Sequence, residues 1–116
     1  MMGAGVSQRL GAIGLGAAFF LFTTTGALAE PDAARLAAGR ALFTQGAKPP
    51  CAVCHTLAHA EAGGAVGPVL DELKPDAARV AKAMRSGIGA MPSYSSVLSA
   101  EQIDTVAFYV SSVSGR

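Results

Sequence analysis

The 116-residue sequence has no tryptophan, five phenylalanines, two tyrosines and only two cysteines. Two cysteines admit one disulfide at most, which excludes a disulfide-dense scaffold. No segment sustains apolar–polar alternation and no stretch repeats, so neither a sheet-dominated fold nor a solenoid is expected. Nine Lys and Arg stand against eight Asp and Glu, for a net charge of +1. That balance leaves no basic footprint for nucleic acid. Long apolar runs are missing too. The longest, Leu10 to Phe22, holds about 13 residues, short of the roughly 20 that span a bilayer.

What stands at the N-terminus is an export signal. Arg9 is the only charge among the first 29 residues, the apolar run follows it, and Ala27-Leu28-Ala29 is a small-x-small cleavage site. Residues 1–29 read as a signal peptide cleaved after Ala29, which places the protein in the periplasm. An uncleaved leader would be its one link to a membrane. A lone arginine instead of a twin pair implies export of the unfolded chain. Removing 29 of 116 residues leaves 87, which carry eight acids and eight bases. Residues 30–116 are one domain, and a small one whose apolar core alone is marginal.

Within it, Asp32 to Phe43 has helical spacing at Leu36, Gly39, Leu42 and Phe43, with Asp32 as N-cap and a stop at Gly46. Gly39 costs a helix about 1 kcal/mol relative to Ala, which points to a close helix contact unless it is merely tolerated. Glu61 to Gly67 is a glycine-rich loop. Lys74-Pro75-Asp76 opens a second helix through Val80, Ala83 and Met84 to Gly87. Ser99 and Gln102 form a capping box ahead of an apolar stripe at Ile103, Val106, Ala107 and Val110. The sequence predicts an all-α domain of three to five short helices joined by Gly and Pro loops.

Both cysteines fall in Cys51-Ala52-Val53-Cys54-His55, a C-x-x-C-H run after Pro49 and Pro50. This is the attachment pattern of c-type haem. On a helix Cys51, Cys54 and His55 share one face, so two thioether bonds and one iron bond can reach a single porphyrin. Three other readings compete. A disulfide would close a tiny loop, and a thioredoxin-like pair would need a βαβ context. Zinc held by Cys51, Cys54, His55 and His59 would use ligands packed far tighter in sequence than structural zinc sites do. Haem would also be the staple that so small a domain needs.

Haem iron with two axial ligands needs a partner for His55 on the opposite face. His59, one turn along the same expected helix, would approach from the same side and reads as a solvated surface residue. Met84 sits mid-helix, where methionine usually fills a core. Met91, in the loop Gly87-Ile88-Gly89-Ala90-Met91-Pro92, has enough chain to cross the haem and is the favoured sixth ligand, with Met84 as pocket lining.

In these features the chain resembles the small bacterial class I cytochromes c: Gly39-x-x-x-Phe43, C-x-x-C-H at 51 to 55, Gly67-Pro68-x-Leu70, Met91-Pro92-x-Tyr94, and a last helix with Phe108 and Tyr109. The resemblance implies the cytochrome c fold, short helices around one covalently bound haem. It implies a crossing of first and last helices at Gly39, a Pro68 carbonyl that accepts from His55, and Leu70 and Tyr94 lining the haem. The stretch Leu70 to Met91 is also similar to cytochrome subunits of periplasmic sulfite dehydrogenases. Two departures stand out: some relatives place a tryptophan near the haem propionates, and only Lys48, Lys74 and Lys82 supply lysines. The expected function is one-electron transfer between redox proteins through transient docking, with no catalytic nucleophile or base. The alternatives are the haem subunit of a dehydrogenase, bound to its catalytic subunit, and a haem enzyme or sensor with an open sixth site.

Overall fold

The computed structural model describes residues 30–116, together with the isolated positions Gly5, Gly11, Gly14 and Gly16. The expected signal peptide otherwise lies outside the described residues. Among the described residues no helix is long and apolar enough to cross a membrane.

Helix α1 spans Glu30–Ala41 and widens into a π-helical turn, Leu42–Gly46, closed by the Ala47 N–H on the Leu42 carbonyl at 2.9 Å. It starts two residues before Asp32, so Asp32 lies in the first turn instead of capping it. Pro31 suits that turn, whose N–H groups lack intrahelical acceptors. The π turn coincides with burial of Phe43, 1% exposed, with its ring centroid 6.0 Å from that of Tyr109.

Helix α2, Cys51–Cys54, is a single turn entered from an extended Pro50. The backbone turns extended again at His55 (φ −116°, ψ 137°), which corrects the expectation that His55 and His59 share a helix. The chain instead continues through β1, Thr56–Leu57, a 3-10 turn, Ala58–Ala60, and β2, Ala62–Gly63. The two strands pair antiparallel, Thr56 opposite Gly63 and Leu57 opposite Ala62. A ladder of two-residue strands has no room for the alternation that would announce it in sequence.

Helix α3 is a short turn, Leu70–Leu73. Helix α4 spans Ala77–Ser86, with the Arg79 N–H bonded to Asp76 Oδ1 at 2.7 Å, so Asp76 is the cap and Pro75 precedes the helix. Helix α5 spans Ala100–Val113 and has the expected capping box: Gln102 N–H to Ser99 Oγ at 3.1 Å and Ser99 N–H to Gln102 Oε1 at 2.9 Å.

Helix α5 packs against both α1 and α4 and buries Ile103, Val106, Tyr109 and Val110 between them. Where α1 crosses α5, a Cβ on Gly39 would overlap Tyr109 Cβ and stand 3.0 Å from the Thr105 carbonyl oxygen. The close helix contact expected at Gly39 is therefore present, and any side chain there would push the helices apart. The Arg35 guanidinium, 4.3 Å above the Phe108 ring, adds to the same crossing.

Candidate cofactor cleft

A cleft of about 510 Å³ opens between α2, α3, α4, the 87–92 loop and the inner face of α5. That volume falls within the roughly 300–1,000 Å³ typical of small-molecule and cofactor sites. All eight residues singled out from sequence line it: Cys51, Cys54, His55, Pro68, Leu70, Met84, Met91 and Tyr94. Phe43, Val80, Val106 and Val110 complete a mostly apolar wall.

The His55 side is built by backbone. His55 Nδ1 lies 2.8 Å from the Pro68 carbonyl oxygen. A carbonyl only accepts, so Nδ1 carries the proton and Nε2 keeps its lone pair for a metal. The 64–68 loop is drawn to this position by the Val66 and Gly67 N–H groups, both donating to the Cys54 carbonyl at 3.1 and 2.7 Å. It passes so near the imidazole that a Cβ on Gly67 would stand 2.5 Å from His55 Cε1.

The Met91 side is held by a clamp. Gly87 ends α4 at φ 69°, a conformation that suits glycine, and a Cβ there would sit 2.9 Å from the Met91 carbonyl oxygen. Ile88 and Met91 exchange backbone bonds of 3.0 and 2.9 Å. The Tyr94 N–H returns to the Met84 carbonyl at 2.7 Å, and the Ser93 and Ser95 hydroxyls donate to the Arg85 carbonyl at 2.6 and 3.0 Å. Across the cleft, the Tyr94 hydroxyl donates to the Pro49 carbonyl at 2.8 Å. Burial pushes that phenol up to about 12, so it stays a donor and ties the Met91 loop to Pro49, two residues before α2. This bond, which no local pattern announces, gives Tyr94 a bracing role in addition to its place in the cleft wall.

The cysteines are free thiols, and burial pushes Cys51 up to about 11. A neutral, buried thiol is a poor nucleophile, which weighs against a thioredoxin-like pair. Among the described residues no group of three or more His, Cys, Asp or Glu is placed to hold a bare metal ion. The four-ligand zinc set is not assembled, because His59 faces elsewhere: its Nδ1 lies 2.9 Å from the Tyr109 hydroxyl. His59 is thus exposed as expected, yet attached to the α1–α5 crossing.

Two thiols, an imidazole with a free Nε2 and a thioether sulfur around one apolar cleft fit a covalently attached, axially ligated haem. Residues 34–110 match the family described as cytochrome c oxidase, cbb3-type, subunit III. No curated protein matches the chain. Among solved structures, the c-type cytochrome SorU from Sinorhizobium meliloti is 55% identical, covering 72% of this chain and 95% of its own, with a TM-score of 0.70.

Proposed function

The chain belongs to the c-type cytochrome family, an all-α haem electron-transfer group and not itself a catalyst, and from that premise we propose how it carries its electron. Cys51 and Cys54 would attach one haem covalently, His55 and Met91 would ligate its iron, and the protein would work in the periplasm after cleavage at Ala29. When bound, the haem supplies a ferric/ferrous couple that takes up and returns one electron. The Pro68 carbonyl fixes the tautomer and orientation of His55, the contact that makes a ligating imidazole more basic. The clamped loop presents the Met91 sulfur. Leu70, Met84 and Tyr94 keep the cleft wall dry, and His/Met ligation favours a fairly high potential.

The observation that carries this reading is the convergence of Cys51, Cys54, His55 and Met91 on one cleft, with His55 Nδ1 already committed to Pro68. Haem that survives acid-acetone extraction is expected. So is loss of the ferric sulfur-to-iron charge-transfer band in Met91→Ala, with the potential falling and small ligands gaining access. Met84→Ala should keep the band and only loosen packing. A band lost in Met84→Ala alone would refute the ligand assignment, and a native iron freely open to added ligands would favour a sensor or enzyme.

The second reading is a haem subunit serving the catalytic subunit of a periplasmic sulfite dehydrogenase. It is favoured by the similarity of Leu70 to Met91 to such subunits and by the 55% identity to SorU. A dehydrogenase subunit that co-purifies stably and reduces the haem on adding sulfite would support it. Reduction only in brief encounters would support the free carrier.

A further inference from the structure

We propose that His59 is a positioning residue for the imidazole of His55: its bond to the Tyr109 hydroxyl fixes the 56–63 hairpin on α5, and the hairpin carries that constraint to the contact between His55 and Pro68. The inference rests on the haem reading above. The hairpin leaves the cleft wall at His55 and returns, through Gly64, to the loop that delivers the Pro68 carbonyl, so both partners of that contact hang from its open end. The Thr56 hydroxyl closes that end on the Gly64 carbonyl at 2.9 Å. The other end, Ala58 to Glu61, meets three helices. Its Ala58 N–H donates to Asp71 Oδ2 on α3 at 2.7 Å. The Arg40 guanidinium on α1 donates to the His59 carbonyl at 3.2 Å and to the Glu61 carboxylate at 2.7 Å. The His59 side chain supplies the link to α5, with Nδ1 2.9 Å from the Tyr109 hydroxyl and the two ring centroids 5.5 Å apart, edge to face.

The direction of this bond follows from what surrounds the hydroxyl. Tyr109 is buried, and burial pushes its phenol up against the pull of the Arg40 guanidinium, so it keeps its proton. A buried O–H needs an acceptor. Arg40 can only donate, Glu61 is paired with Arg40, and Asp71 is committed to the Ala58 and Gly115 N–H groups. The acceptor that remains is the lone pair of His59 Nδ1. His59 therefore carries its ring proton on Nε2 while His55 carries its own on Nδ1, and the two histidines, four residues apart, hold opposite tautomers, each set by one neighbour. A hairpin held at both ends cannot rock, so the Pro68 carbonyl stays on the His55 ring, the contact that makes a ligating imidazole more basic.

The test uses the haem-loaded protein. In its reduced form, ¹⁵N NMR should place the His59 ring proton on Nε2. His59→Leu and Tyr109→Phe each loosen the hairpin, weaken the Pro68 bond and make His55 a less basic ligand, which favours the ferrous state. The reduced-to-oxidised ratio at fixed applied potential should rise about twofold in each, and in the double variant by no more than in either single one. His59→Gln, whose amide oxygen can still accept from the hydroxyl, should restore the wild-type ratio. Gln102→Ala, which breaks the capping box at the start of α5, is the control for lost stability alone and should leave the ratio unchanged. A ring proton on Nδ1 of His59, an unmoved ratio, or an equal rise in the control would overturn the positioning role alone. Absence of covalent haem from the wild-type protein would instead remove the haem reading, and the positioning role with it.

Discussion

At position 67 the side chain is missing because the imidazole of His55 fills the space it would need. Gly67→Ala must move either the loop or the ring, and both routes break the bond between Nδ1 and Pro68. We expect a loss of about 1–3 kcal/mol of stability in the haem-loaded protein, typical of overpacking, read as a lowered melting temperature. Gly63→Ala is the comparison, since a Cβ there meets nothing within 4 Å; equal losses at the two positions would show that ring contact is not the cause. Both glycines fall in the same glycine-rich stretch, Glu61 to Gly67, and composition alone does not separate them. What separates them is a partner twelve residues upstream, which only the folded loop brings near. The motif-bearing residues are different: the C-x-x-C-H spacing picks out Cys51, Cys54 and His55, its place in a loop picks out Met91, and the resemblance to class I cytochromes c picks out Pro68.

Elements with chemical end signals were legible as well. The Asp76 cap, the Gly87 stop and the Ser99–Gln102 box write the limits of α4 and α5 into the chain, whereas the π turn after α1 and the Thr56–Gly63 ladder arise from tertiary packing. Asp71 shows how much one side chain outside any motif can join. Its Oδ2 accepts from the Ala58 N–H at 2.7 Å and its Oδ1 from the Gly115 N–H at 2.9 Å, fastening α3 to the turn after β1 and to the C-terminus. Those two bonds, Gly115 foremost, hold its carboxyl below the usual carboxylate range. The folded-state value lies under the ordinary one. The stabilisation is therefore complete above about pH 4 and is lost as pH falls through the lowered value. Asp71→Asn should melt below the wild type at pH 6, and the gap should narrow on acidification toward pH 3. A gap that does not change with pH would mean that the carboxylate charge is not what fastens these segments.

On the scale of the whole domain, residues 30–116, with equal numbers of acids and bases, enclose a cleft of about 510 Å³. So small a domain has little core to spare, and the cleft walls are part of it: Phe43, Leu70, Met84, Val106 and Val110 all face that space. Cys51→Ala with Cys54→Ala should therefore leave a chain of low helix content that melts without cooperativity, measured by circular dichroism of the haem-free protein. Native-like helicity and a sharp transition would show that the polypeptide core suffices alone. The crossing of α1 and α5 has a further consequence. Cys51 to Tyr94, with all eight proposed haem-contacting residues, lie on the single loop of chain between those two helices. Opening the crossing would thus release both halves of the cleft at once, so the His55 and Met91 sides should behave as one cooperative unit in amide hydrogen exchange. Gly39→Ala, which forces the crossing apart, should speed exchange at the Cys54 carbonyl's partners, Val66 and Gly67, and at the Met84 carbonyl's partner, Tyr94, by the same factor, though none of these amides touches the substituted residue.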